Sequence, residues 1–144
     1  MNEPGSTAGG DVEEVVQAVL DMMASGRPDA LRLLTEDVDL RSPLGDIGGR
    51  DQLRSALNDW HDGMSDARAV VENVRMSGGT AVASWHLVAT HTGVILVNED
   101  RLFEPAGAQI DLAITTELDF DGSLVSAVRH EFLLDDLLAQ IGVR

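Results

Sequence analysis

The sequence predicts an α+β fold in which helices cover one face of a curved, mostly antiparallel sheet. Three observations carry this reading. Apolar residues recur at helical spacing through most of the chain up to residue 61, the period changes to two from residue 67, and a short helical segment closes the chain. Glycine-centred turns join the later segments, which calls for hairpins and segregates helices from strands. At 144 residues the chain can bury a core without cross-links. It is read as one domain, residues 11–144, behind a disordered tail, residues 1–10.

Asp11 with Glu14 forms a capping box, and Val12, Val15, Val16, Val19, Met22 and Met23 keep helical spacing up to Gly26, a natural stop. This predicts a helix over 12–25. Pro28 opens a second short helix ending near Thr35. An alternating segment around Asp39 follows: Val38 and Leu40 point one way, Asp39 and Arg41 the other. Pro43 and the glycines at 45, 48 and 49 turn the chain into a third helix, Arg50 to His61, with Leu53, Leu57 and Trp60 on one side. Strands are then expected over 67–77 and 80–91, joined at Ser77-Gly78-Gly79, and in part over 94–103, with Asn98-Glu99-Asp100 as a loop or bulge. Two more follow over 109–119 and 123–131, joined at Asp121-Gly122. Leu133 to Gln140 makes the closing helix, stopped by Gly142.

Composition narrows the function. Twenty-five acidic residues face ten basic ones, all arginine, for a net charge of −15. Such a surface repels phosphate backbones and anionic lipid, so nucleic acid and membranes are excluded as expected partners. A neutral, apolar small molecule is not. Cysteine is absent, which removes disulfides, thiolate metal sites and a cysteine nucleophile. The first ten residues lack the basic flank and apolar core of a signal peptide, and no run is long enough to span a bilayer, so a cytoplasmic protein is expected.

Carboxylates on strands are more informative than those on helix surfaces. Asp39 faces away from Val38 and Leu40, beside the cation Arg41. Asp66 lies where the third helix passes into the first long strand, and reads equally well as a turn residue. Asp111 points away from Ile110, Leu112 and Ile114, and would join a cavity if the sheet's opposite face were concave. His86 and His91 sit at odd separation, which disfavours a shared metal site. Trp85, Leu87, Ala89 and His91 share one face, either plain core or the wall of an apolar pocket. His130 and Glu131 are open to both readings. Serine-nucleophile motifs, phosphate loops and dinucleotide fingerprints are missing.

Glu36-Asp37-Val38 with Pro43, Gly49-Arg50-Asp51, Ser65-Asp66, Ser84-Trp85 running into Ala89-Thr90-His91-Thr92-Gly93, and Leu137-Leu138-Ala139-Gln140-Ile141-Gly142 resemble the SnoaL-like polyketide cyclase group of the nuclear-transport-factor-two-like superfamily. The resemblance implies a cone-shaped α+β barrel with a cofactor-free, metal-free pocket, commonly a homodimer formed through the sheet. Within that group the chain is similar to the epoxide hydrolases that cyclise polyethers of the monensin and lasalocid type, in Asp39, in an acidic residue 27 positions on, and in the ending His130 to Asp135. Those enzymes usually carry Glu where this chain has Asp66.

This likeness implies that Asp39 and Asp66 form an acid/base pair opening epoxides of a linear polyketide polyepoxide by internal hydroxyl attack. One carboxyl would be kept protonated by an apolar pocket, the other kept ionised by Arg41. Arg41, Trp60, Trp85, His91, Asp111 and Glu131 would contact substrate. The alternatives are an aldol or ester polyketide cyclase of the same fold, and a weakly catalytic subunit forming a heteromer with a paralogous epoxide hydrolase.

Overall fold

The computed structural model describes residues 4–93, 95–97, 101–103, 107 and 109–140. Helix α1 spans Pro4–Ser25. It begins well before the capping box at Asp11, because Pro4, with φ fixed near the helical value, can start a helix without wasting a backbone donor. The tail expected over residues 1–10 is therefore helical from Pro4 on, and residues 1–3 lie outside the described residues. Gly26 ends α1 as expected, at φ 75°, with its N–H donating to the Met22 carbonyl at 2.8 Å. A single 3₁₀ stretch, Pro28–Leu33, leads into β1, Leu34–Ser42.

The glycine-rich loop contains a strand the sequence reading missed. β2, Gly45–Gly48, pairs antiparallel with β1 through a two-residue connection, with Ser42 opposite Gly45. Helix α2, Arg50–Gly63, follows, and then the long hairpin of β3, Met64–Ser77, and β4, Thr80–His91. Gly78, at φ 64°, supplies the left-handed turn that joins them. A short pair, β5, Ile95–Val97, and β6, Arg101–Phe103, stands apart as its own two-stranded sheet. The Asn98-Glu99-Asp100 loop and the Gly142 stop lie outside the described residues. β7, Gln109–Asp121, β8, Leu124–Glu131, and α3, Leu134–Gln140, are the remaining described elements.

The main sheet runs β2-β1-β8-β7-β4-β3. All its pairings are antiparallel except β1 with β8, which is parallel. One face reads out a strict alternation. Along β4 every odd residue from Ala81 to His91 is buried, and along β7 every even residue from Ile110 to Leu118. These two series meet in register, Trp85 opposite Ile114 and Leu87 opposite Leu112. Together with Val16, Leu20, Leu34, Val38, Leu53 and Leu137 from the helices and β1, they form the core. Each fully buried aliphatic side chain contributes roughly 1.5–3 kcal/mol by leaving water.

Helix placement is set by a few backbone contacts. The Trp60 indole N–H donates to the Ala24 carbonyl at 2.7 Å, which ties α2 to the end of α1. The Gln140 side chain brackets the backbone of Asp111, accepting from its N–H at 2.7 Å and donating to its carbonyl at 3.0 Å. That docks α3 on β7. The helices thereby stand over the apolar face of the sheet.

Candidate functional site

A cavity of about 970 Å³ lies between the helices and the apolar face. Leu40, Leu87, Leu112 and Ile114 line it from the sheet, Leu53, Leu57 and Trp60 from α2, and Leu137 from α3. The same alternation that builds the core builds this wall. The concave face is thus the apolar one, because the helices enclose the space above it. That inverts the expectation that the face carrying Asp39 and Asp111 would be the lining.

The predicted site residues divide accordingly. Trp60 and Trp85 line the cavity. Asp39 points outward, half exposed, and forms an ion pair with Arg41 at 3.2 Å. Asp66 is exposed, at φ 52°, within the register shift between Ser65 and Arg68 of β3. It serves as the left-handed residue of a bulge, a conformation Asp tolerates better than most. Neither Asp39 nor Asp66 is among the cavity-lining residues, so the two are not brought together there. Asp111 is likewise outside, where its carboxylate meets His86 Nδ1 at 2.6 Å while Glu72 lies 3.3 Å from His86 Nε2. Those contacts, the hydrogen bond to Asp111 first, raise the His86 pKa against a partial opposing effect of burial. Glu131 is exposed, in a small recess of about 350 Å³ at the rim that Arg41 and Arg129 also line. Arg129 is held by Glu117 at 3.0 Å and Asp119 at 2.7 Å. That hydrogen-bonded pairing holds the Asp119 carboxyl down at about 2. His91 is fully buried on the apolar face, and neither ring nitrogen has a partner among the described residues. It does not line the cavity.

Among the polar residues that line the cavity, His130 stands on the sheet side and, like Ser42 and Asp46, lines both the main cavity and the rim recess. Its Nδ1 lies 2.7 Å from the Thr116 hydroxyl, and the Trp85 indole N–H donates to the same hydroxyl at 2.8 Å. Trp85 and His130 also meet edge to face, ring centroids 6.2 Å apart. Burial alone pulls the His130 pKa down to about 4, so its imidazole is neutral at neutral pH. Carboxylates enter the lining from α2, at Asp59 and Asp62. Thr116 escaped the sequence reading, although a signal existed: it is the one polar residue in phase with Ile110, Leu112, Ile114 and Leu118.

A pH prediction follows from His130. In the unfolded chain it titrates near 6.5, in the folded chain near 4, so between these values the unfolded state binds the extra proton. The stability present above pH 6.5 is lost as pH falls toward 4, by on the order of 3 kcal/mol in total. His86 works in the opposite sense, since its raised pKa gives stability that is present below 6.5 and lost as pH rises. Asp119 loses its contribution only below its unfolded value, toward pH 2. Urea unfolding at pH 7 and pH 4.5 is therefore expected to show a drop that His130→Phe largely removes and His86→Gln does not.

A family model described as "SnoaL-like domain" matches residues 16–128. A candidate SnoaL-like polyketide cyclase from Jannaschia sp. CCS1 shares the fold, with TM-score 0.78 and 18% identity over 94% of both chains. TsrD from Streptomyces laurentii does so with TM-score 0.78 and 19% identity, over 94% of this chain and 97% of that one. A candidate polyketide cyclase from Xanthomonas campestris pv. campestris gives TM-score 0.72 and 19% identity over 92% and 98%. These likenesses are of fold. No curated protein matches the sequence.

Proposed function

Because the chain belongs to the SnoaL-like domain family, we propose that it is a small-molecule cyclase acting on an apolar, oxygen-bearing polyketide intermediate, without a cofactor. The observation that carries this is a neutral, partly buried histidine set into the mainly apolar sheet wall of the cavity, with the carboxylates Asp59 and Asp62 in the lining from α2. Apolar walls hold a carbon skeleton by burial, while one polar group fixes its orientation. His130 meets the oxygen on which charge develops as the ring closes. Asp59 is one residue before Trp60 and three after Ala56, which both line the cavity from α2. It takes the proton released from carbon or hydroxyl. Donor and base on opposite walls are what an aldol-type closure needs.

Epoxide opening, the chemistry of the polyether resemblance, makes a parallel demand: a donor to the departing oxygen and a base for the attacking hydroxyl. With Asp39 and Asp66 outside the cavity lining, His130 and Asp59 would fill those parts. A homodimer through the outward face of the sheet, or a heteromer with a paralogue, is compatible with either chemistry because it leaves the cavity face free.

Purified protein is to be offered an aromatic polyketide ester and, separately, a bis-epoxide alcohol. Ring closure of the ester, slowed about 10²–10⁴-fold in Asp59→Asn, supports the aldol reading, and closure of the bis-epoxide alone reassigns the substrate class. Turnover of neither, or an unchanged rate in Asp59→Asn, overturns the proposal as stated.

A further inference from the structure

Thr116 is fully buried, and its hydroxyl has one hydrogen and two partners. One of them, the Trp85 indole, can only donate, so at 2.8 Å it takes a lone pair of the hydroxyl oxygen. The Thr116 hydrogen must then go elsewhere, because a buried donor left unpaired costs about 1–3 kcal/mol. Among the described residues the only acceptor bonded to it is His130 Nδ1, at 2.7 Å. A nitrogen that accepts carries no hydrogen, and in a neutral imidazole the hydrogen then sits on Nε2. Nε2 has no protein partner among the described residues and is not a buried orphan, and His130 lines the cavity.

We propose that Trp85 and Thr116 form a relay that locks neutral His130 in its Nε2–H form, so that the cavity wall presents a hydrogen-bond donor and never a base. The inference rests on the proposed function for its catalytic meaning, but the lock itself is a property of the resting protein. Trp85 and Thr116 are positioning residues, and His130 is the group that touches ligand. The relay has a direction: indole N–H to hydroxyl, hydroxyl to Nδ1, Nε2–H to ligand. Each bond polarises the next, which strengthens the final donor. The chemical class admitted at this point is a hydrogen-bond acceptor, namely a ketone, ester or ether oxygen or an enolate. A ligand with only a methylene there leaves Nε2–H dry and unpaired. The low basicity of His130 fits this role, since an imidazole that resists protonation stays a neutral donor through the working range.

The test is ¹⁵N NMR of the ring nitrogens of His130 in wild type, Thr116→Ser and Thr116→Val, with α-tetralone and tetralin as matched ligands that differ at a carbonyl. Wild type is expected to show Nε2 in the protonated, pyrrole-type range and Nδ1 in the unprotonated, pyridine-type range. It should bind the ketone about tenfold more tightly than the hydrocarbon, the worth of one hydrogen bond. Thr116→Ser keeps both signatures. Thr116→Val loses the fixed tautomer and most of the ketone preference. Protonated Nδ1 in wild type, equal affinity for the two ligands, or a Thr116→Val protein that keeps both signatures overturns the relay. If Thr116→Val does not fold, the wild-type and Thr116→Ser spectra still decide. A wild type with the Nε2–H signature that cyclises no substrate leaves the relay standing and removes the catalytic reading.

Discussion

Replacing His130 by phenylalanine is expected to lower turnover by about 10²–10³-fold while changing ligand affinity far less. The ring keeps most of the side chain's volume and its edge contact with Trp85, so the cavity's shape survives. What disappears is the donor toward the reacting oxygen. An oxygen gathers negative charge on the way to the transition state, so a bond to it strengthens as the reaction proceeds, and its loss falls on kcat more than on KM. The substitution also strands the buried Thr116 hydroxyl, which costs about 1–3 kcal/mol at pH 7. Steady-state kinetics with the ester that is cyclised, beside a binding titration followed by tryptophan fluorescence, separates the two effects. A raised KM with kcat intact would make His130 a wall residue and return attention to the carboxylates of α2.

How far the sequence discloses this site depends on which kind of information is asked of it. Local signals suffice for the existence of the β3–β4 hairpin and its two-glycine turn, though not for the two register shifts along it, and for the ends of α1 and α2 at Gly26 and near His61. The parallel pairing of β1 with β8 is different, because it joins segments far apart in the chain and nothing local encodes it. Asp39 illustrates the limit best. Alternation correctly separates Asp39 and Arg41 from Val38 and Leu40, but it cannot say on which side of the sheet a ligand would sit. That side is decided by where α2 and α3 dock. The cavity therefore has mainly apolar residues for its sheet wall, and a polar residue on that wall, His130, is one that breaks the apolar series in phase. Thr116 and His130 both do so, opposite each other in register on β7 and β8. Asp66 had two readings from local sequence, and the bulge at φ 52° uses it in the turn-forming way.

The floor of the cavity depends on these side chains, but its roof depends on Gly26, and Gly26→Ala is expected to cost about 3 kcal/mol or more. Two separate penalties meet there. Gly26 sits at φ 75°, where a Cβ costs about 1–2 kcal/mol. That Cβ would also lie 2.4 Å from the Leu57 carbonyl oxygen and 2.6 Å from the His61 nitrogen, both backbone atoms of α2. Neither can swing aside as a side chain would, so α1 and α2 must part, and the Trp60 bond to Ala24 goes with them. Two further glycines divide the effect into its causes. Gly122 has a comparable φ of 65° with nothing among the described residues within 4 Å of an added Cβ, so Gly122→Ala should show the backbone cost alone, about 1 kcal/mol. At Gly93 the backbone is ordinary, but an added Cβ would stand 1.9 Å from the Asp62 carbonyl oxygen, so Gly93→Ala should show the contact alone. Urea midpoints of the three variants are expected to put Gly26→Ala and Gly93→Ala well below Gly122→Ala. If Gly26→Ala instead matches Gly122→Ala, α1 does not rest on the α2 backbone, and the cavity has more freedom to open than the Trp60 anchor implies. On a total stability of about 5–15 kcal/mol, a 3 kcal/mol loss leaves the protein folded at room temperature. Ligand binding by Gly26→Ala can therefore still be measured, and it should weaken along with the roof, whereas Gly122→Ala should bind as wild type does.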